Sequence, residues 1–203
     1  MNSIEIKSAK IKNTMFLDFS YREKKDIKTD DINQSSDLPF HDDCKHAFLN
    51  LLPHFILICE QEKASKRMKD FIYEGVDNPD DELLKSYEVT SFKIGGSGDN
   101  EGVTITGKKF LSTGKTLNLN TPFQRFDDED YKFGAELVEA LEELKSEVFQ
   151  YMTGNKHAPI AQQSMEFDDA FDGEDEDHEN EIPKPQDIIR KMKKDGISIE
   201  VVR

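Results

Sequence analysis

Apolar and polar residues alternate through positions 4–11, and after Lys12-Asn13-Thr14 the pattern resumes over 15–21 with Phe16, Leu17 and Phe19. A period of two interrupted by a short polar break predicts an antiparallel hairpin. Residues 23–39 are polar and are expected to form a flexible loop that follows or extends the second strand. His41-Asp42-Asp43 then offers helix-capping chemistry ahead of Ala47, Phe48, Leu51 and Leu52, which are spaced by threes and fours. Pro53 should stop or kink that helix. The apolar run Phe55-Ile56-Leu57-Ile58-Cys59 is expected to be a buried strand, with a second helix carrying proline in its first turn as the alternative. Residues 62–85 are charged and read as a linker with a short helix around 69–73.

From Tyr87 the period returns to two. Residues 87–94, 102–107 and 115–120 predict a three-stranded meander joined by Gly95-Gly96-Ser97-Gly98-Asp99-Asn100 and Ser112-Thr113-Gly114. Asp127-Asp128-Glu129-Asp130 is expected to open a long helix, acids matching the positive end of its dipole, with Phe133, Leu137, Leu141, Leu144 and Val148 on one face. Gly154 should end it. A short helix at 187–196 and a strand-like end at 197–202 follow. The fold class predicted is α+β: a mainly antiparallel sheet with one short and one long helix over residues 1–155. An acidic linker at 156–185 and a C-terminal helix-strand piece at 186–203 complete the chain.

Charge changes the picture of that linker. The 203 residues carry 42 acidic and 27 basic side chains, a formal charge of −15, so the surface as a whole opposes phosphate binding and only local basic strips favour it. The acids crowd most densely into Ser164-Met165-Glu166-Phe167-Asp168-Asp169-Ala170-Phe171-Asp172-Gly173-Glu174-Asp175-Glu176-Asp177. Like charges keep such a segment solvated, and it is expected to be disordered over 162–185, while Phe167 and Phe171 give it anchors for a partner's groove. Glu166, Phe167, Asp168, Asp169 and Phe171 are therefore candidate partner-binding residues. There is no apolar run near the ~20 residues of a membrane span and no basic-then-apolar leader at the start, so a cytoplasmic protein is expected. Two cysteines make no disulfide framework.

Candidate chemistry is sparse. Gly95-Gly96-Ser97-Gly98 lacks the Lys-Ser/Thr and helix that a phosphate loop requires, and reads as a hairpin connection. His41, Cys44, His46, His54 and Cys59 lie close in sequence but supply no pair of metal-ligand spacings, so no metal or cofactor is expected. A hydrolase built on His41, Asp42 and Asp43 would need a nucleophile motif that the chain does not show. The strands are more informative. Lys7, Lys10, Lys12, Lys93, Lys108, Lys109, Lys115 and Arg125 accompany Phe16, Phe19, Tyr21, Tyr87, Phe92, Phe110 and Phe123. Cations that track phosphates, interleaved with rings that stack bases, suit a single strand of nucleic acid. Phe92 is the ring placed in that site with the eight cations. The acidic side chains of the long helix, Glu136, Glu139 and Glu143 among them, offer a rival reading as a phosphate-mimicking face.

The segments from His41-Asp42-Asp43 through Phe55-Ile56-Leu57-Ile58-Cys59, and from Thr90-Ser91-Phe92-Lys93-Ile94-Gly95-Gly96 through Thr121-Pro122-Phe123, resemble a family of small uncharacterised bacteriophage and prophage proteins. The resemblance implies a phage setting and residence in the host cytoplasm, and it brings no functional residues with it. The acidic tail resembles those of single-stranded DNA-binding proteins, which recruit replication and repair enzymes. The expected function is a non-catalytic accessory of phage DNA metabolism. It would bind single-stranded nucleic acid on the sheet and a host or phage DNA-processing protein through the tail, with no membrane partner and with homo-oligomerisation open. The alternative is an acidic DNA mimic that inhibits a host defence or nucleic-acid enzyme.

Overall fold

The computed structural model describes residues 3–158, which belong to the first of two units, Met1–Ala161 and Gln162–Arg203. The expectations for the acidic segment, its candidate residues Glu166, Phe167, Asp168, Asp169 and Phe171, and the terminal helix-strand piece lie outside the described residues.

The first hairpin forms as its alternation predicts. Strand β1, Ser3–Lys12, pairs antiparallel with β2, Phe16–Lys24, and Asn13 and Thr14 turn the chain with φ of 49° and 64°. Residues 23–39 depart from the loop expectation. A third strand, β3, Thr29–Ser35, folds back on β2 through a turn closed by Lys25 N–H to the Lys28 carbonyl, 2.7 Å. Its side chains are largely exposed, so burial imposes no apolar alternation on the sequence. Backbone pairing holds it instead, assisted by the two-pronged contact of Arg22 with Asp31 at 2.7 and 3.1 Å.

Helix α1, Asp42–Asn50, starts at His41, whose Nδ1 accepts the Asp43 N–H at 3.2 Å. The chain breaks at Leu51 as Pro53 requires, and then corrects the strand expectation: 55–58 are helical, within α2, Leu52–Ile58. Proline sits in the first turn, where its missing donor costs nothing. Leu52, Pro53, His54, Phe55 and Ile56 are all buried, so the continuous apolar run reflects a helix enclosed on most sides. Helix α3, Lys66–Glu74, is capped by Ser65, which accepts the Met68 N–H at 3.2 Å.

The meander is β4, Tyr87–Gly95, β5, Gly102–Phe110, and β6, Thr116–Asn120. A two-residue strand not visible in the sequence pattern, β7, Gln124–Arg125, then pairs with the start of β5. The long helix α4, Gly134–Met152, begins later than the acids suggest. Asp127 pairs with Arg125, and Asp128 Oδ1 accepts the Asp130 N–H at 3.0 Å, so these carboxylates build a turn and leave Glu136 alone in the first helical turn. Gly154 ends the helix at φ 73°. Among the described residues the helices thus number four, α1 to α4, rather than one short and one long.

Among the described residues the strands form one seven-stranded antiparallel sheet in the order β3-β2-β1-β4-β5-β6, with β7 beside β5. Ile6, Ala9, Leu17, Phe19, Val89, Phe92, Ile94, Val103 and Ile105 turn to one face and are buried with Phe48, Phe55, Leu141 and Leu144 of the helices. Gly107 belongs to that face, and its lack of a side chain admits the Phe55 ring, which a Cβ would meet at 2.7 Å. The alternate residues of each strand form a second face, on which no helix among the described residues packs.

Candidate nucleic-acid interface

The uncovered face follows from the registers. Asn33 of β3 lies opposite Ser20 of β2, Ser20 opposite Ser8 of β1, Ser8 opposite Lys93 of β4, and Lys93 opposite Thr104 of β5. In the adjoining row Lys10 lies opposite Ser91, Ser91 opposite Thr106, and Thr106 opposite Asn120 of β6. The face is therefore a field of Ser, Thr and Asn with lysines set into it, and it also carries carboxylates: Asp18 opposite Lys10, Asp31 opposite Arg22 and Glu88 opposite Lys108. Ser8 and Ser20 hydroxyls meet at 2.6 Å, and Thr106 donates to Asn120 Oδ1 at 2.7 Å.

Lys10 and Lys93 are exposed, and among the described residues neither side chain has a hydrogen bond or ion pair. Lys10 pairs with Ser91 and Lys93 with Ser8, which makes the two lysines diagonal neighbours about 7–8 Å apart. Lys12 shares the face and donates to Ser35 Oγ at 3.1 Å; that hydroxyl in turn donates to Asp18. Lys108 shares it too, 3.5 Å from Glu88, and Lys115 projects unpaired from the β5–β6 turn.

The remaining sequence candidates do not join this group. Phe92 is 1% exposed and packs against Phe48 in the core, because β4 turns it to the helical side; it offers no stacking surface. Lys109 also faces the helical side, where it donates to Gln61 at 3.1 Å and lies over the Tyr87 ring. Lys7 sits at a β1 irregularity and is held by Glu5 at 2.5 Å and Glu101 at 3.5 Å. Arg125 is gripped by both Asp127 oxygens, at 2.9 and 2.6 Å, and that hydrogen-bonded carboxylate raises its pKa. Its charge is therefore answered within the chain.

The rings sort the same way. Phe19, Tyr21 and Tyr87 belong to the helical side, and Phe19 meets Tyr151 edge-on at 6.0 Å. On the open side Phe16 stands opposite Lys12, and Phe110 follows Lys108 by two residues and is 44% exposed. Phe123 is 48% exposed and lies over Gly95, where a Cβ would stand 3.3 Å from the ring. Gly95 is two residues beyond Lys93 on the same side of β4, so the ring and the cation occupy successive positions, roughly 7 Å apart along the strand, on one face. Spacing does not reveal this, since Phe123 is thirty residues from Lys93; only the return of the chain along β5 joins them.

Composition reinforces the location. Residues 102–126 contain Lys108, Lys109, Lys115 and Arg125 and no acidic residue, within a chain that has 42. The described part as a whole remains acidic, and the exposed acids Glu139, Glu142 and Glu143 line the outer side of α4. Glu143 accepts a hydrogen bond from Asn50 at 3.2 Å.

The histidines and cysteines are taken up separately. His46 Nε2 lies 3.1 Å from the Val76 carbonyl, burial pushes the Cys44 thiol up to about 12, and burial raises that of Cys59 as well. His54 is fully enclosed and 2.8 Å from the Tyr131 hydroxyl, and its burial lowers the imidazole pKa to about 4. Among the described residues no three His, Cys, Asp or Glu side chains group as a metal site. A groove of about 770 Å³ opens beside Tyr131, but Glu60, Lys63, Asp130 and Lys132 line it with both signs of charge and select no ligand class. No helix among the described residues is long and apolar enough to cross a membrane.

No protein-family model matches the chain, and neither a curated protein nor a solved structure matches it.

Proposed function

We propose that this protein binds single-stranded nucleic acid across the open face of its sheet, as a non-catalytic accessory of phage DNA metabolism. Glu166, Phe167, Asp168, Asp169 and Phe171 recruit a DNA-processing protein. The observation that carries the reading is the exposed Phe123 ring seated on Gly95, on the same face as the unpaired Lys93, with unpaired Lys10 diagonal to that lysine. A ring takes a base and the lysines take flanking phosphates, while the Ser, Thr and Asn side chains hydrogen-bond sugar or base edges. Phe16 on β2 and Phe110 on β5 stand toward the opposite end of the strands from Phe123, on either side of β1 and β4. The phage setting rests on the sequence resemblance alone.

The test is a salt-titrated binding assay with labelled single-stranded and duplex oligonucleotides. Wild type should prefer the single strand, and affinity should fall as salt rises. Combined Lys10→Glu and Lys93→Glu should lose about tenfold or more, because both phosphate contacts become repulsions. Equal affinity in wild type and variant defeats the reading.

The exposed Glu139, Glu142 and Glu143 on α4 favour a second reading, an acidic mimic of nucleic acid that occupies the groove of a DNA-binding enzyme. Under it, capture of such an enzyme depends on Glu136, Glu139 and Glu143 and survives the lysine substitutions.

A further inference from the structure

Among the described residues the sheet has two outer edges, and they differ in chemistry. The β3 edge carries Lys28, Asp30 and Asp31 at or near the strand, the charged blunting that discourages strand addition. The β6 edge, Thr116-Leu117-Asn118-Leu119-Asn120, carries no charge and no proline.

Its outward hydrogen-bonding groups can be assigned. Leu111 N–H donates to the Lys115 carbonyl at 2.8 Å, and Thr121 N–H to the Ile105 carbonyl at 2.9 Å. Bonded pairs alternate along an antiparallel ladder, so Leu117 and Leu119 spend their amides and carbonyls on β5. Thr116, Asn118 and Asn120 direct theirs away from the sheet. These five residues are also nearly palindromic about Asn118. A twofold axis there would set Asn118 opposite its copy, Leu117 opposite Leu119 and Thr116 opposite Asn120.

We propose that the protein dimerises by antiparallel pairing of β6 with β6 of a second copy, which joins the two sheets into one. The isologous arrangement needs a self-complementary strand, and this edge is one. About six main-chain hydrogen bonds form, two for each outward-facing pair. Leu117, 46% exposed, gains Leu119 of the other copy as an apolar neighbour on the helical side. Acidic side chains do not oppose a like copy at this edge. The chain is acidic overall, yet residues 102–126 bring no carboxylate to the seam, and the Lys115 side chains fall opposite Thr121 rather than each other. The open faces become continuous, with the two Lys108 residues about three strand spacings, roughly 14 Å, apart. The inference does not depend on nucleic-acid binding.

Sedimentation equilibrium on the full chain, from micromolar to hundreds of micromolar, tests it. Wild type should approach twice the monomer mass. Asn118→Pro removes an amide that β5 does not use, on an edge position where proline is tolerated, and should give monomer with an unchanged circular dichroism spectrum. Leu117→Lys, which places like charge at the seam, should give monomer too. Hydrogen exchange should show the Thr116 and Asn120 amides protected in wild type and fast in Leu117→Lys. Monomeric wild type throughout the range overturns the proposal. So does a dimer that survives both substitutions, or one that disappears when residues 160–203 are removed.

Discussion

Phe123 lays its ring over Gly95, with the nearest ring carbon 3.3 Å from where a Cβ would stand. Glycine leaves the ring room against the strand, and Phe123 remains 48% exposed on the face that carries Lys93. Phe123→Ala should therefore weaken single-strand binding by about 1–3 kcal/mol, the worth of one stacked base, without altering the circular dichroism spectrum. Fluorescence anisotropy at fixed salt reads the first quantity. An unchanged affinity places the ring outside the interface.

Lys10 and Lys93 should act as phosphate contacts rather than as readers of sequence. Changing both to alanine should lower the slope of log affinity against log salt by about 1.4 for a single strand, at about 0.7 per phosphate. The loss should be equal for oligonucleotides of different sequence. A sequence-dependent loss with an unchanged slope contradicts this assignment.

Gly107→Val should destabilise the fold. A Cβ at this position meets the Phe55 ring at 2.7 Å and the Glu88 carbonyl at 2.4 Å, and neither group has free space to retreat into. Overpacking of this kind costs about 1–3 kcal/mol, and more where backbone must move. Urea denaturation with an unchanged slope and an earlier midpoint is the expected result.

His54 gives the fold a pH dependence with a defined sign. Its pKa is about 4 in the folded chain against about 6.5 in the unfolded chain, because burial disfavours the imidazolium. Between those values the unfolded state binds more protons, so stability is fully present above pH 6.5 and falls as pH drops toward 4. The full span amounts to about 3 kcal/mol. His54→Phe should flatten the stability curve in this window, measured by denaturation at successive pH values, while the lowered carboxylates Asp31 and Asp43 act only at more acidic pH.

Residues 160–203 carry 13 acidic and 6 basic side chains, a net of seven negative charges. Ending the chain at Pro159 should raise affinity for single strands, most at low salt, because it lowers the repulsion between protein and polyanion. Phe167→Ala with Phe171→Ala should abolish capture of a DNA-processing protein from host lysate while binding to oligonucleotides stays the same. Identical capture by wild type and double variant reduces the segment to a solubilising spacer.

Alternation and turn chemistry by themselves determined the first hairpin, the meander and the α+β class, since each strand has one buried face that writes a period of two into the chain. They also determined the stop at Leu51, where proline cannot continue the preceding helix. The same logic failed where burial was absent or complete. β3 lies exposed and is held by backbone pairing, so its side chains record no period, and α2 is enclosed on most sides, so its apolar run carries no helical period. The acids at 127–130 matched a helix start locally, but Arg125 and the Asp128 turn claimed them. For the candidate site, sequence named lysines and rings and could not divide them between the two faces. Lys108 and Lys109 are adjacent in the chain and stand on opposite faces, and Phe92 lies in the core while Phe123 lies outside it. Only the pairing of β1 with β4, and the return of the chain beside β5, brought Lys10, Lys93 and Phe123 together. Those contacts span long sequence separations, and tertiary packing fixes their register.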